Sequence, residues 1–219
     1  MLQRRTSNQY YFLVEGECEE RYLRWLQSLI MQDPNRITNV SFTIKKNMSM
    51  VSMVKNLSLM EKTSIVQVVD YEGNQSNERQ TFLNVLEDMY RARRLKQADC
   101  RLGYSNLTFE LWILLHKRDF NKSLNTKAEY LELLNKAYDK NYETLRKYKH
   151  EKNFQDILKA ITLEDVKKAI DRAEKIRKYN EQNCHKEIYK GRFVYYKDNP
   201  DCSLQEAVKK VLTDCGLMA

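Results

Sequence analysis

The sequence predicts an α/β fold, a mainly parallel sheet flanked by helices, with a helical lobe late in the chain. Three observations predict it. Strand-like and helix-like runs alternate through the first half, as they do where parallel strands are joined by crossover helices. Glycine and proline number only five and two in 219 residues, too few for the turns of a β-rich chain. From Asn121 to Pro200 the composition shifts, with 19 Lys or Arg against 13 Asp or Glu and eight of the 14 tyrosines.

The apolar run YYFLV, Tyr10–Val14, is the first strand, and a helix from about Glu17 to Met31 follows, burying Tyr22, Leu26 and Leu29. NVSFTIKK, Asn39–Lys46, alternates with period two, as a half-buried strand does. MSMVSMVKNLSLM then repeats apolar residues at helical spacing, with Met48, Met50, Met53 and Met60 as core packing. SIVQVVD, Ser64–Asp70, reads as a strand buried on both faces, followed by a long amphipathic helix from about Glu78 to Gln97. CRLGYS, Cys100–Ser105, is a fourth strand, and TFELWILLH, Thr108–His116, a short apolar helix. Helices near Lys127–Asp139 and Leu163–Gln182 lead to a polar aromatic segment, EIYKGRFVYYKDNP. The last helix, SLQEAVKKVLTDCG, takes Ser203 as its N-cap and packs back on the sheet. The chain thus divides into a core over residues 1–120, a basic lobe over 121–200 and a final helix over 201–219.

The 38 basic and 30 acidic residues leave a net charge of +8, which suits a polyanionic partner such as nucleic acid. Five cysteines form no C-x-x-C pair and no regular framework, as expected of reduced thiols in a cytoplasm. No apolar run is long enough to span a membrane, so a cytoplasmic protein with no membrane partner is expected. The motifs G-x-x-x-x-G-K-[ST], G-x-S-x-G and H-E-x-x-H are absent. Any nucleotide-driven step therefore calls for a separate chain, such as an AAA- or ABC-type ATPase.

Acids gather where the predicted strands end. Glu15 follows the first strand, and Asp70 and Glu72 follow the third, at the edge where α/β sheets bind ligands. If those strands are neighbours, three carboxylates converge, and a bound divalent cation relieves their repulsion. Oxygen ligands of this kind suit Mg2+ or Mn2+. Glu19, four residues after Glu15, shares that side of the helix start, whereas Glu17 and Glu20 are ordinary first-turn acids that favour the helix dipole.

Glu15-Gly16-x-x-Glu19 with Tyr22, then Asp70-x-Glu72, then YSNLTFELWILLH from Tyr104 to His116, resembles the RloB family, whose core is a TOPRIM domain. The resemblance covers roughly residues 9–118 and returns weakly in the last helix. It departs at Cys18 in place of threonine, Leu107 in place of proline and Glu72 in place of a second aspartate. It implies a TOPRIM-like core related to the OLD-family nucleases, metal-dependent phosphodiester hydrolysis and a setting in bacterial antiviral defence. Glu15, Asp70 and Glu72 would hold the metal, and Glu19, Glu110 and Asn106 would complete the site, with Phe109, Trp112 and Leu115 in the core and His116 structural. Asn106 is equally suited to capping the helix.

The lobe offers Lys140, Arg146, Lys147, Lys149 and Lys152 in one run and Lys190, Arg192, Tyr195, Tyr196 and Lys197 in another. Cations can hold phosphates and tyrosines can stack on bases, with Arg146, Lys147, Lys149, Lys190 and Arg192 as the nucleic-acid contacts. A solvated helical face with buried tyrosine stems reads equally well. Two functions stay open, a metal-dependent nuclease and a binding module of the same fold without turnover. A phosphoacceptor domain also uses acids after its first and third strands, but no matching late lysine stands out.

Overall fold

The computed structural model describes residues 6–57, 63–73, 75–96, 98–198 and 200–218. Met60, expected in the core, lies outside them. A five-stranded sheet runs, in spatial order, β2 (Asn39–Lys46), β1 (Ser7–Val14), β3 (Ser64–Tyr71), β4 (Asp99–Asn106) and β7 (Asp201–Cys202). The first four strands are parallel and β7 is antiparallel to β4. The sheet is therefore mainly parallel, as the alternating pattern requires.

Side-chain alternation divides the core between the two faces. Phe12 and Val14 of β1 enter one apolar cluster and Leu13 the other. On the first face pack α1 (Glu17–Gln32), α4 (Glu110–Leu115) and α9 (Leu204–Asp214). On the second pack α2 (Met50–Asn56), α3 (Ser76–Leu95) and the hairpin of β5 (Lys186–Tyr189) and β6 (Phe193–Tyr196). Ile30 rather than Leu29 completes the buried face of α1, with Leu29 half-buried.

The lobe consists of α5 (Lys127–Tyr138), α6 (Leu145–Lys149), α7 (Glu151–Lys159) and α8 (Leu163–Asn183), followed by the hairpin. Capping boxes at Thr126–Glu129 and Thr162–Asp165 start α5 and α8. The lobe has no separate core. Tyr130, Leu134, Tyr148 and Ile170 join the same cluster as Tyr22 and Trp112. The polar aromatic segment turns at Lys190 and Gly191, both at positive φ, which the glycine adopts without strain.

A buried polar knot fastens α8 and the hairpin to β4. Asp201, without solvent exposure, accepts hydrogen bonds from the Tyr104 hydroxyl, Arg177 Nη1 at 3.0 Å and Asn180 Nδ2 at 3.1 Å. The Tyr196 N–H donates to the Tyr104 hydroxyl at 2.7 Å, and Arg177 lies over the Tyr196 ring at 5.5 Å. Ser203 occupies the N-cap position of α9, but its hydroxyl bonds the edge of β4 instead, donating to Leu102 O at 2.8 Å.

Asp201→Ala is expected to lower stability by about 3 kcal/mol, because it leaves the largely enclosed Arg177 unpaired. Urea unfolding of wild type and variant measures it. A loss under about 1 kcal/mol would show that Arg177 reaches water once released.

Candidate active site

The chain leaves β1 to form β2 on one side, then returns to form β3 on the other. Such a reversal opens a crevice beyond the carboxyl ends of the two strands, where ligands of open α/β sheets bind. Glu15 lies just past β1, and Asp70 and Glu72 lie at and just past the end of β3. All three line a cavity of about 260 Å3 together with Glu78 and Thr81 of α3. Larger cavities, of about 660, 660, 450 and 300 Å3, open elsewhere and gather no comparable set of carboxylates.

Local sequence explains the mouth. Gly16 is the N-cap of α1, and a Cβ there would collide with Glu19 Oε2, so the glycine lets the Glu19 carboxylate fold back over the turn. Glu17 is exposed and Glu20 half-buried, and they pair with Arg21 at 2.8 Å and Arg24 at 2.7 Å, one helical turn on. Glu110 opens α4 fully buried, accepts a hydrogen bond from the Thr108 hydroxyl and lies 3.0 Å from Lys149 Nζ.

These carboxylates act on one another. Burial, then the charges of Glu19 and Glu110, hold Asp70 well above the usual carboxylate range. Burial raises Glu19 as well, with Glu110 adding to it. Glu15 keeps solvent contact along its side chain, yet the protein crowded around its carboxylate pushes its pKa up to about 6. A backbone hydrogen bond from Asp70 works against that rise, and Glu19 and Glu72 add to it. Two lysines from the lobe answer this charge. Lys127 at the start of α5 pairs with Glu72, and Lys149 in α6 pairs with Glu110. Lys149 stays partly open to solvent; the protein around its ammonium opposes the charge, but Glu110 outweighs that and raises its pKa.

The acidic side chains in the cleft, joined by the side-chain oxygens of Asn77 and Thr81, offer oxygen donors, the chemistry that hard divalent cations prefer. Among the described residues no three acidic, histidine or cysteine side chains stand at ligating spacing. Glu72 is turned to Lys127 instead.

The structure brings Glu15, Glu19, Asp70, Glu72 and Glu110 to one end of the sheet and turns Asn106 away from them. The Asn106 amide donates to the carbonyls of Tyr196, Lys197 and Asp198 at 2.8, 3.0 and 3.2 Å, so it holds the chain leaving the hairpin. It caps no helix. His116 is structural: its Nδ1 meets Trp112 O at 2.9 Å and its Nε2 meets the Tyr22 hydroxyl at 3.1 Å. Burial pushes its pKa down to about 4, so the ring is neutral. Glu78, Lys127 and the inward turn of Lys149 were not read from the sequence as parts of this site. A signal for Glu78 exists, since it starts the helix after β3 much as Glu19 starts the one after β1.

The basic runs disperse. Lys147 pairs with Glu143, and Lys190 with Glu87 while lying 4.6 Å from the Tyr90 ring centroid. Arg146 is exposed, and Arg192 lines a separate cavity. Tyr195 and Tyr196, offered above as stacking surfaces, are buried at 3% and 0% exposure and pack in the protein instead. Among the described residues no helix is long and apolar enough to cross a membrane.

A family model described as RloB-like protein matches residues 10–211. No curated protein and no solved structure matches the chain.

Between about pH 4.5 and 6 the folded protein keeps a proton on Glu15 that the unfolded chain has lost, so this group lowers stability as pH rises through that window. Glu15→Gln is therefore expected to melt above wild type at pH 8 in chelator and level with it at pH 4. Equal melting temperatures at both pH values would show that Glu15 carries no electrostatic strain.

Proposed function

The chain belongs to the RloB-like protein family, and from that premise we propose that it is a divalent-metal-dependent nuclease acting in bacterial antiviral defence. One observation carries the reading. Glu15, Asp70 and Glu19, all with raised pKa values, meet at the strand-order reversal with Glu72 and Glu110 beside them. Perturbed carboxylates collected in a cleft are the signature of a site that functions with a positive charge among them.

Glu15, Asp70 and Glu72 would hold magnesium or manganese. The chemistry supplied by the bound ion is polarisation of the phosphate and neutralisation of the leaving oxygen. Glu19, with its raised pKa and its place over Gly16, is the group suited to take a proton from an attacking water. Glu110 orients Lys149, whose ammonium can meet a phosphate oxygen at the mouth. Lys127 is the matching cation on the Glu72 side. Any nucleotide-driven step falls to a separately encoded ATPase, since the chain carries no Walker-type glycine loop.

A second reading, a nucleic-acid-binding module without turnover, is favoured by one feature. Two of the carboxylates are already paired with lysines.

Calorimetric titration of manganese is expected to show binding to wild type that weakens at least about tenfold in Asp70→Ala. Equal affinity for both proteins removes the metal site.

In a manganese-dependent cleavage assay, supplemented with any ATPase partner, Glu15→Gln and Gly16→Ala are expected to lose cleavage with little change in melting temperature. The first removes a ligand, and the second displaces Glu19. Glu20→Gln, altered only at the surface, should cleave like wild type. Cleavage by Glu15→Gln at the wild-type rate would end the nuclease reading. Metal binding without cleavage of any nucleic acid would leave the binding module.

A further inference from the structure

Four arginines from four different elements line one cavity of about 300 Å3. Arg93 comes from the last turn of α3, Arg101 from β4, Arg177 from α8 and Arg192 from the β5–β6 turn. The cavity is distinct from the acid cleft. In the β3–β4 register Arg101 stands opposite Val66, four residues before the level of Asp70, or about 13 Å along the strands.

The charges in it are unevenly met. Arg177 is taken by Asp201 at 3.0 Å and Arg101 by Asp99 at 2.6 Å. Among the described residues no carboxylate lies within ion-pair distance of Arg93 or Arg192, and the cavity wall itself offers one acid, the exposed Glu206 of α9. Leu102, Phe193 and Val194 supply apolar wall, which strengthens any charge interaction inside. Guanidinium groups so collected repel one another until an anion joins them, and their planar donor forks match phosphate oxygens in pairs.

We propose that this cavity is a phosphate-binding site, and that the phosphates it takes are those of a nucleic-acid backbone. The second half of that statement rests on the nucleic-acid reading above, and the first does not. Arg93 and Arg192 are the free forks that receive the phosphate. Arg177, fixed by Asp201 and stacked on Tyr196, forms the rigid back wall, and Glu206 limits affinity from the rim.

The test compares wild type, Arg93→Ala/Arg192→Ala and Glu206→Gln. Neither substituted arginine touches the acid cleft, so manganese affinity serves as the control and should stay unchanged. A fluorescent single-stranded oligonucleotide is titrated across a salt series by anisotropy, and melting is followed with millimolar pyrophosphate. The double variant is expected to bind the oligonucleotide about tenfold more weakly, with a salt slope smaller by about 1.4, or about 0.7 for each lost phosphate contact. Pyrophosphate should raise the melting temperature of wild type but not of the double variant, and Glu206→Gln should bind both probes more tightly. A pyrophosphate effect lost in the double variant alongside unchanged oligonucleotide binding, or no oligonucleotide binding by wild type, overturns the backbone assignment and leaves a site for a small phosphorylated ligand. Affinity, salt slope and pyrophosphate response all equal to wild type overturn the site, whatever becomes of the cleavage assay.

Discussion

Removing Asp201 and Arg177 from water costs both groups their hydration, and attraction between them offsets that cost only when the remaining lone pairs are filled. Tyr104 and Asn180 fill them. This one buried pair joins β4, β7, α8 and, through the Tyr196 N–H, the β6 strand. Much of the functional geometry follows from it. With α8 fixed, the lobe is set against α4, and its Lys127 and Lys149 pair with Glu72 and Glu110. With Arg177 fixed, the arginine cavity has a back wall. A charge pair at the sheet edge thereby influences both the acid cleft and the basic cavity, although it belongs to neither.

The parallel sheet was legible because it rests on local signals. SIVQVVD is apolar on both faces since β3 is covered on both faces, and NVSFTIKK alternates since β2 is an edge strand. What the sequence concealed depends on distant partners. The two residues of β7 carry no periodicity and exist as a strand only because Ser105 and Asn106 pair with them. The hairpin did leave a trace, Lys190-Gly191 between alternating apolar residues, which is the pattern of a tight turn between strands.

For the cleft, the positions of Glu15 and Asp70 followed from strand ends alone, and their adjacency followed once β1 and β3 were neighbours. Electrostatic detail did not. Lys127 and Glu72 are 55 residues apart, and nothing in the run around Lys149 distinguishes it from Lys147, which stays on the surface with Glu143. Asn106 was ambiguous for a similar reason. Its three acceptors are backbone carbonyls, which have no identity in a sequence. The tyrosines stayed ambiguous because a buried ring and a stacking ring share one letter, and packing decides for the buried one at Tyr195 and Tyr196.

The lobe and the sheet share one apolar interior, so Trp112 and Tyr22 are covered in part by residues that come after position 120. A chain cut there would bare that surface to water and would not persist as a free sheet. The lobe is consequently no cassette. Neither natural recombination nor a laboratory graft can exchange it whole for another lobe without rebuilding the face beneath. New preferences in a lineage carrying this fold must therefore accumulate by single substitutions at the rims, while the shared interior resists change.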